Sequence, residues 1–163
     1  MELNHTLNKL NVSRETLSTF NKYKDFVISE NSKINLIGKK TASKFMERHI
    51  IDCAQAIDFI DKNSKICTDL GSGAGLPGIV LAILMRDKNI DIEMNLYEKS
   101  YRKSIFLKSV SKELKLKTKI FQQNVFEEKN LLSGTVIARA FKPLPVILGL
   151  IEKNFEKYTN LIV

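Results

Sequence analysis

Several kinds of residue and pattern that would settle a reading early are scarce in this chain. There are two cysteines in 163 residues. Cys53 and Cys67 stand singly, and their spacing suggests neither a disulfide framework nor a zinc site. Two reduced thiols in a core fit better, and no metal is expected. Long apolar runs are missing too. The longest, Ile79 to Met85, is far too short to cross a bilayer, so no membrane contact is expected. The N-terminus lacks the charged-then-apolar pattern of a signal peptide, which makes the cytoplasm the expected compartment. There is no internal repeat, low-complexity tract or tail of like charge. Aromatics are few, at 8%, and rarely interleave with basic residues, so no stacking platform for a single strand stands out. Acidic residues are in deficit: 18 against 26 Lys and Arg, a net charge of +8. Such a surface points to a polyanion partner, and equally fits a solvated lysine surface.

What is present is organised around Asp69-Leu70-Gly71-Ser72-Gly73-Ala74-Gly75-Leu76-Pro77-Gly78. An apolar run from Ile66 leads in and another, from Ile79, leads out. The reading is strand, glycine-rich turn and helix, with Pro77 near the first helical position, where its missing N–H costs nothing. Such a turn brings bare backbone close to a ligand at a helix N-terminus. Gly73 to Gly78 satisfies the dinucleotide pattern G-x-G-x-x-G. Its register argues against that use, because the strand would have to run through Asp69 and Gly71. Starting at Asp69 instead reads D-x-G-x-G-x-G, the pattern of S-adenosylmethionine (SAM) methyltransferases, with the acidic residue ending the strand.

Around this centre the chain reads as one domain with a small extension. Ser13 is a good N-cap, and Leu17, Phe20, Tyr23 and Val27 follow at helical spacing to about Glu30. Residues 31–41 read as a loop, with Ile34, Leu36 and Ile37 tucked inward. Residues 43–60 carry one continuous stripe, Met46, Ile50, Cys53, Ile57 and Ile60, of a regular helix. Strands follow at Ile66–Leu70, Ile92–Tyr97, Thr118–Gln122 and Val136–Ala138. Helices are expected at Pro77–Arg86, Tyr101–Leu114 and Leu144–Phe155, the second with Ile105, Phe106, Val110 and Leu114 inward. Leu161–Val163 opens a fifth strand, so the natural chain is expected to continue past Val163. This alternation means an α/β fold with a mostly parallel, doubly wound sheet. The expected division is an N-terminal helical extension, 1–62, and a SAM-binding domain, 63–163.

In doubly wound sheets ligands sit at the strand C-termini, at the switch point. The glycine turn follows the first strand there. Glu98 follows the second, about 20 residues on, where a carboxylate can accept ribose hydroxyls. Asn124-Val125-Phe126 follows the third, and Arg139 the fourth. His49 borders the buried stripe of its helix, where a core role and a functional one are both open. The fourth strand also excludes some chemistry. It has Ala138-Arg139-Ala140-Phe141-Lys142-Pro143 where amino-group methyltransferases place an Asn/Asp-Pro-Pro-aromatic run. Neither cysteine sits at a strand end, as pyrimidine C5 methylation would need. An acceptor that is already nucleophilic remains, such as a guanine ring nitrogen. Catalysis is then alignment and electrostatics.

Asn35-Leu36, Glu47-Arg48-His49-Ile50-Ile51-Asp52, the D-L-G-S-G-A-G-L-P-G turn, Lys103 with Phe106-Leu107, and Ala138-Arg139-Ala140 together resemble the ribosomal small-subunit methyltransferase G family, also called glucose-inhibited division protein B. The resemblance spans roughly residues 15–163. It implies a Rossmann-like class I SAM-dependent methyltransferase that methylates N7 of a guanine in the 530 loop of 16S ribosomal RNA, in line and without a covalent intermediate. Its partner would be 16S rRNA or the small subunit, and a monomer is expected. Carried over by motif, Gly71, Leu76, Val125, Phe126 and Arg139 would bind the cofactor, beside Asp69, Gly73 and Glu98 from the reading of the turn and strand ends. Arg139, Arg48 and His49 would serve catalysis, the last two facing the mouth of the site. Val125-Phe126 departs from an Ala/Val-Glu pair that many members carry. The strands and a basic residue that close the family's sheet beyond the fifth strand are absent. A SAM methyltransferase of a small molecule or protein, a non-catalytic RNA-binding module on the same fold, and an NAD dehydrogenase stay open as alternatives.

Overall fold

The computed structural model of the chain describes residues 10–163. Residues 1–9 of the expected 1–62 extension lie outside the described part. Helix α1, Arg14–Ile34, starts where Ser13 accepts the Thr16 N–H and ends at Asn35, whose left-handed backbone (φ 55°) turns the chain. It runs four residues past Glu30. Asn31 and Ser32, read as loop residues, are polar but do not break a helix. Asn31 instead accepts from the Ile37 N–H at 2.8 Å and so fixes the exit. A short helix, α2, Lys39–Ala42, replaces the end of the expected loop.

The segment that follows was expected to be one regular helix. It is wound in three ways: a π-helix at Met46–Ile51, one α-turn, α3, at Asp52–Ala54, and a 3₁₀ stretch at Gln55–Phe59. The apolar stripe survives, with Ile50, Cys53, Ile57 and Ile60 buried. Spacing of three and four residues does not distinguish these windings.

Strands β1 (Ile66–Leu70), β2 (Glu93–Tyr97), β3 (Thr118–Phe121), β5 (Thr135–Ile137) and β7 (Asn160–Ile162) form one sheet in the order β3-β2-β1-β5-β7. All its neighbours are parallel. Leu70 pairs with Tyr97, Tyr97 with Phe121, and Ile137 with both Asp69 and Ile162. The C-terminal ends therefore lie side by side, and β1–β5 is the switch point. A second parallel pair, β4 (Leu131–Leu132) with β6 (Phe155–Lys157), was not anticipated. Strands of two and three residues leave no alternation to read.

Helices α4 (Gly78–Asp87) and α5 (Tyr101–Glu113) cover one face of the sheet and α6 (Leu144–Asn154) the other. Helix α4 is buried at every position from Gly78 to Met85, which its all-apolar sequence requires. It is sandwiched because α1 packs over it. Phe20, Tyr23 and Val27 of α1 belong to the same core as Ile79, Leu81 and Leu96. On α5, Leu107 rather than Ile105 is buried. Ile105 falls beside the Phe106-Val110-Leu114 stripe and is 45% exposed. Among the described residues, no helix is long and apolar enough to cross a membrane, and no group of three or more His, Cys, Asp or Glu could hold a metal ion.

Candidate active site

The turn after β1 is tied down from every side. The Gly71 and Ser72 N–H groups donate to the Tyr97 carbonyl at 2.9 and 3.0 Å, binding the turn to the end of β2. Gly71, Gly73 and Gly75 all have left-handed backbone, at φ 70°, 56° and 93°. Gly71, Gly75 and Gly78 also have a packing reason. A Cβ on Gly75 would lie 2.4 Å from Ile79 Cγ1, and one on Gly78 would lie 2.2 Å from Leu96 Cδ2 and 2.6 Å from Asp69 Oδ2. Gly73 differs: a Cβ there would meet nothing nearer than the Gly71 carbonyl, at 3.8 Å. Its bare face looks into open space.

Asp69 explains part of this geometry. It lies inside β1, one residue before its end, and is 1% exposed. Its Oδ2 accepts the Gly78 N–H at 3.0 Å, so it caps the start of α4 from below. Burial pushes its carboxyl up to about 7, against the pull of the Gly78 N–H. From the other side the buried Tyr23 hydroxyl donates to the Ala74 carbonyl at 2.8 Å. Burial also pushes that phenol well above its usual range.

Above the turn lies a cavity of about 670 Å³. Gly71, Gly73, Leu76, Glu98, Val125 and Phe126 line it. His49 and Arg139 line it too. Glu98 is buried, and its carboxylate accepts from the Gly73 N–H at 2.9 Å and the Ser100 N–H at 2.8 Å. Val125 sits in a one-turn 3₁₀ helix, Val125–Glu127, opened by Asn124, whose side chain accepts the Phe126 N–H. Buried Asn154 of α6 donates to the Val125 and Phe126 carbonyls at 3.2 and 3.1 Å and holds that turn in place.

Arg139 reaches back to the π-wound segment. It donates to the Asp52 carboxylate at 2.6 Å, the Arg48 carbonyl at 3.2 Å and the Cys53 sulfur at 3.3 Å. His49 Nε2 is 3.0 Å from the Thr41 hydroxyl, and Nδ1 is buried without a partner. Burial lowers the affinity of His49 for a proton, and the Arg139 charge adds to this. The imidazole is therefore neutral at pH 7.

Two of the expected residues are not part of the cavity lining. Asp69 lies beneath the turn rather than at a strand end, with its carboxylate turned to Gly78. The Arg48 side chain is exposed, and only its carbonyl is used, by Arg139. Residues that the strand-end argument passed over do line the cavity: Lys99, Lys103, Gln123, Phe141 and Lys142. For the lysines and Gln123 the signal was there, since each lies within a few residues of a strand end or at the head of α5. Among the described residues none of the three lysines is in an ion pair.

The family model for rRNA small subunit methyltransferase G matches residues 16–163. A protein of Pelagibacter ubique (strain HTCC1062), called ribosomal RNA small subunit methyltransferase G, is 52% identical over 159 residues, which is 96% of this chain and 75% of that protein. One of the same name from Cereibacter sphaeroides (strain ATCC 17029) is 33% identical over 144 residues, 88% of this chain and 70% of the relative. Among solved structures, M. capricolum TrmK in complex with S-adenosyl-homocysteine superimposes with a TM-score of 0.51 at 16% identity. The match covers 66% of this chain but only 47% of that one, a likeness of fold alone. With that fold, and with a family model that spans nearly the whole chain, the protein belongs to the rRNA small subunit methyltransferase G family.

Proposed function

We propose that this chain is a SAM-dependent methyltransferase of small-subunit ribosomal RNA, acting on N7 of one guanine in the 530 loop of 16S rRNA. The observation that carries the reading is the cavity at the switch point, where the glycine turn, Glu98, Val125-Phe126 and Arg139 meet. The open face of Gly73 is a cradle that a side chain would fill, which fits a cofactor laid against backbone. Gly71, Gly73 and Leu76 would form its floor. Glu98 would stand at the ribose, Val125 and Phe126 would flank the adenine, and Arg139 would line the far end. When bound, SAM supplies an electrophilic methyl group on a sulfonium.

The acceptor asks little acid–base chemistry of the protein. Guanine N7 has a free lone pair at neutral pH, so no proton has to leave before it reacts. A neutral His49 and an Arg139 held by Asp52 suit that task. They shape the end of the cavity, exclude water and orient the base. Lys99, Lys103 and Lys142 at the cavity add positive charge for RNA phosphates. We read residues 63–163 as the cofactor domain and 1–62 as the extension that forms the wall carrying Arg48 and His49. An rRNA substrate implies work in the cytoplasm, on 16S rRNA or the small subunit.

The test is methyl transfer from tritiated SAM to small-subunit rRNA, bare or assembled, followed by mass mapping. One 7-methylguanine in the 530 loop is expected. Label on protein or small molecules instead of RNA would sink the reading.

A further inference from the structure

Phe141 is a cavity residue with no part in holding the cofactor. It lies two positions past Arg139, on the turn that leaves β5, and it lines the cavity. Its ring is laid on the glycine turn: a Cβ on Gly71 would lie 2.2 Å from Phe141 Cδ2. Only a residue without a side chain lets a ring come so close to the backbone. The ring also meets Phe126, with centroids 6.0 Å apart and planes 29° from parallel. Phe126 is 40% exposed, so the pair opens to solvent instead of filling a core. Between Arg139 and Phe141, Ala140 has left-handed backbone at φ 50°, which alanine rarely adopts. The two side chains around it part company, Arg139 to Asp52 and Phe141 to Gly71. A strained residue next to a cavity is grounds for seeking a role in its neighbours.

We propose that Phe141 is the stacking platform for the nucleobase that accepts the methyl group. Strand order places it. From β1 the cofactor elements run one way, through Glu98 after β2 to Val125-Phe126 after β3, whereas β5 lies on the other side of β1. Phe141 therefore enters the cavity from the β5 side, and its ring lies between the glycine turn and Phe126. A purine drawn out of its RNA loop exposes two π faces, and an aromatic ring at a basic cavity gives one of them a partner. Stacking fixes the plane of the base, and with it the direction of the in-plane N7 lone pair. Catalysis by alignment needs that direction fixed.

This inference rests on the proposed RNA reading, and the experiment separates the two. The chain has four tyrosines but no tryptophan, so Phe141→Trp introduces a lone indole, excited beyond the tyrosine band, whose emission stacking on guanine quenches. Its emission is expected to fall when small-subunit rRNA joins protein saturated with S-adenosylhomocysteine, and to change little with S-adenosylhomocysteine alone. Phe141→Trp, which keeps a flat face, should retain more single-turnover methyl transfer than Phe141→Leu. Phe141→Leu, apolar but without a flat face, should lose roughly ten- to hundredfold at saturating RNA, with S-adenosylhomocysteine affinity unchanged by calorimetry. Wild-type turnover in Phe141→Leu overturns the proposal. So does full quenching by S-adenosylhomocysteine alone, which would assign the ring to the cofactor. If Phe141→Leu fails to fold, as judged by circular dichroism, the fluorescence result decides. Wild-type protein that methylates no RNA overturns the parent reading and this one with it. Active wild-type protein with either adverse result removes this one alone.

Discussion

The glycine turn and the Arg139 turn border one cavity, yet they are held in different ways. The first is gripped from below by Asp69, from behind by Tyr97 and Tyr23 and from the side by Glu98, all of them buried. The second depends on an ion pair whose partners are 34% and 53% exposed, and on two rings that open to solvent. Buried hydrogen bonds make a rigid surface, while half-exposed pairs exchange partners at little cost. In the proposed reaction the rigid side would hold the small, invariant cofactor. The yielding side would meet a large RNA that has to enter, be positioned and leave.

Four measurements would break or sharpen this contrast. The largest effect is expected from Asp69. Its native-state carboxyl titrates near 7 against an ordinary 3.8. Between those values the folded protein keeps a proton that the unfolded chain releases. Stability should therefore fall as pH rises through that window, by up to roughly 4 kcal/mol. Asp69→Asn should flatten the slope, with urea unfolding at pH 4.5 and 7.5 as the check. An unchanged slope would mean that the turn is not held through this carboxylate.

Gly78→Ala comes next. The new methyl would overlap Leu96 and the Asp69 carboxylate inside a packed core. Overpacking and a disturbed buried hydrogen bond should cost about 3 kcal/mol. A loss below about 1 kcal/mol would show the rigid side yielding as readily as the other.

Gly73→Val probes the same turn from its open face. The fold should survive, at a cost of about 1–2 kcal/mol for a left-handed valine. SAM affinity should drop at least about a hundredfold, or about 2.7 kcal/mol. Micromolar binding by a folded Gly73→Val protein, measured by calorimetry, would move the cofactor site elsewhere.

The smallest change is expected on the yielding side. Asp52→Asn removes the charge facing Arg139, and a pair this exposed should cost less than about 1 kcal/mol. A loss as large as that of Gly78→Ala would erase the contrast.

The glycine turn, its strand and its helix were legible because glycine spacing and flanking apolar runs are local signals. So was the collection of Glu98, Val125 and Arg139 at one edge, since strand–helix alternation alone puts strand ends together. What escaped depended on contacts between distant parts of the chain. Phe141 reaches Gly71 because Asp69 pairs with Ile137, a register that no motif announces. Asp69 matched a pattern that places an acid at a strand end, but its partner is the Gly78 N–H beneath the turn. The π-winding at Met46–Ile51 was hidden because an apolar stripe looks the same in either winding. It places the Arg48 carbonyl where Arg139 donates to it, while the Arg48 side chain stays in solvent.

Helix α4, buried on all sides, has a consequence for how the chain is made. Its cover, α1, leaves the ribosome before it, carrying Leu17, Phe20, Tyr23 and Val27 while α4 is still unmade. At about 5–20 residues per second, several seconds pass before residues 78–87 emerge. Over that interval the nascent chain displays a ready-made apolar stripe, and the Tyr23 hydroxyl has no Ala74 carbonyl to find. Helix α1 is thus made well before the partners that bury its apolar stripe.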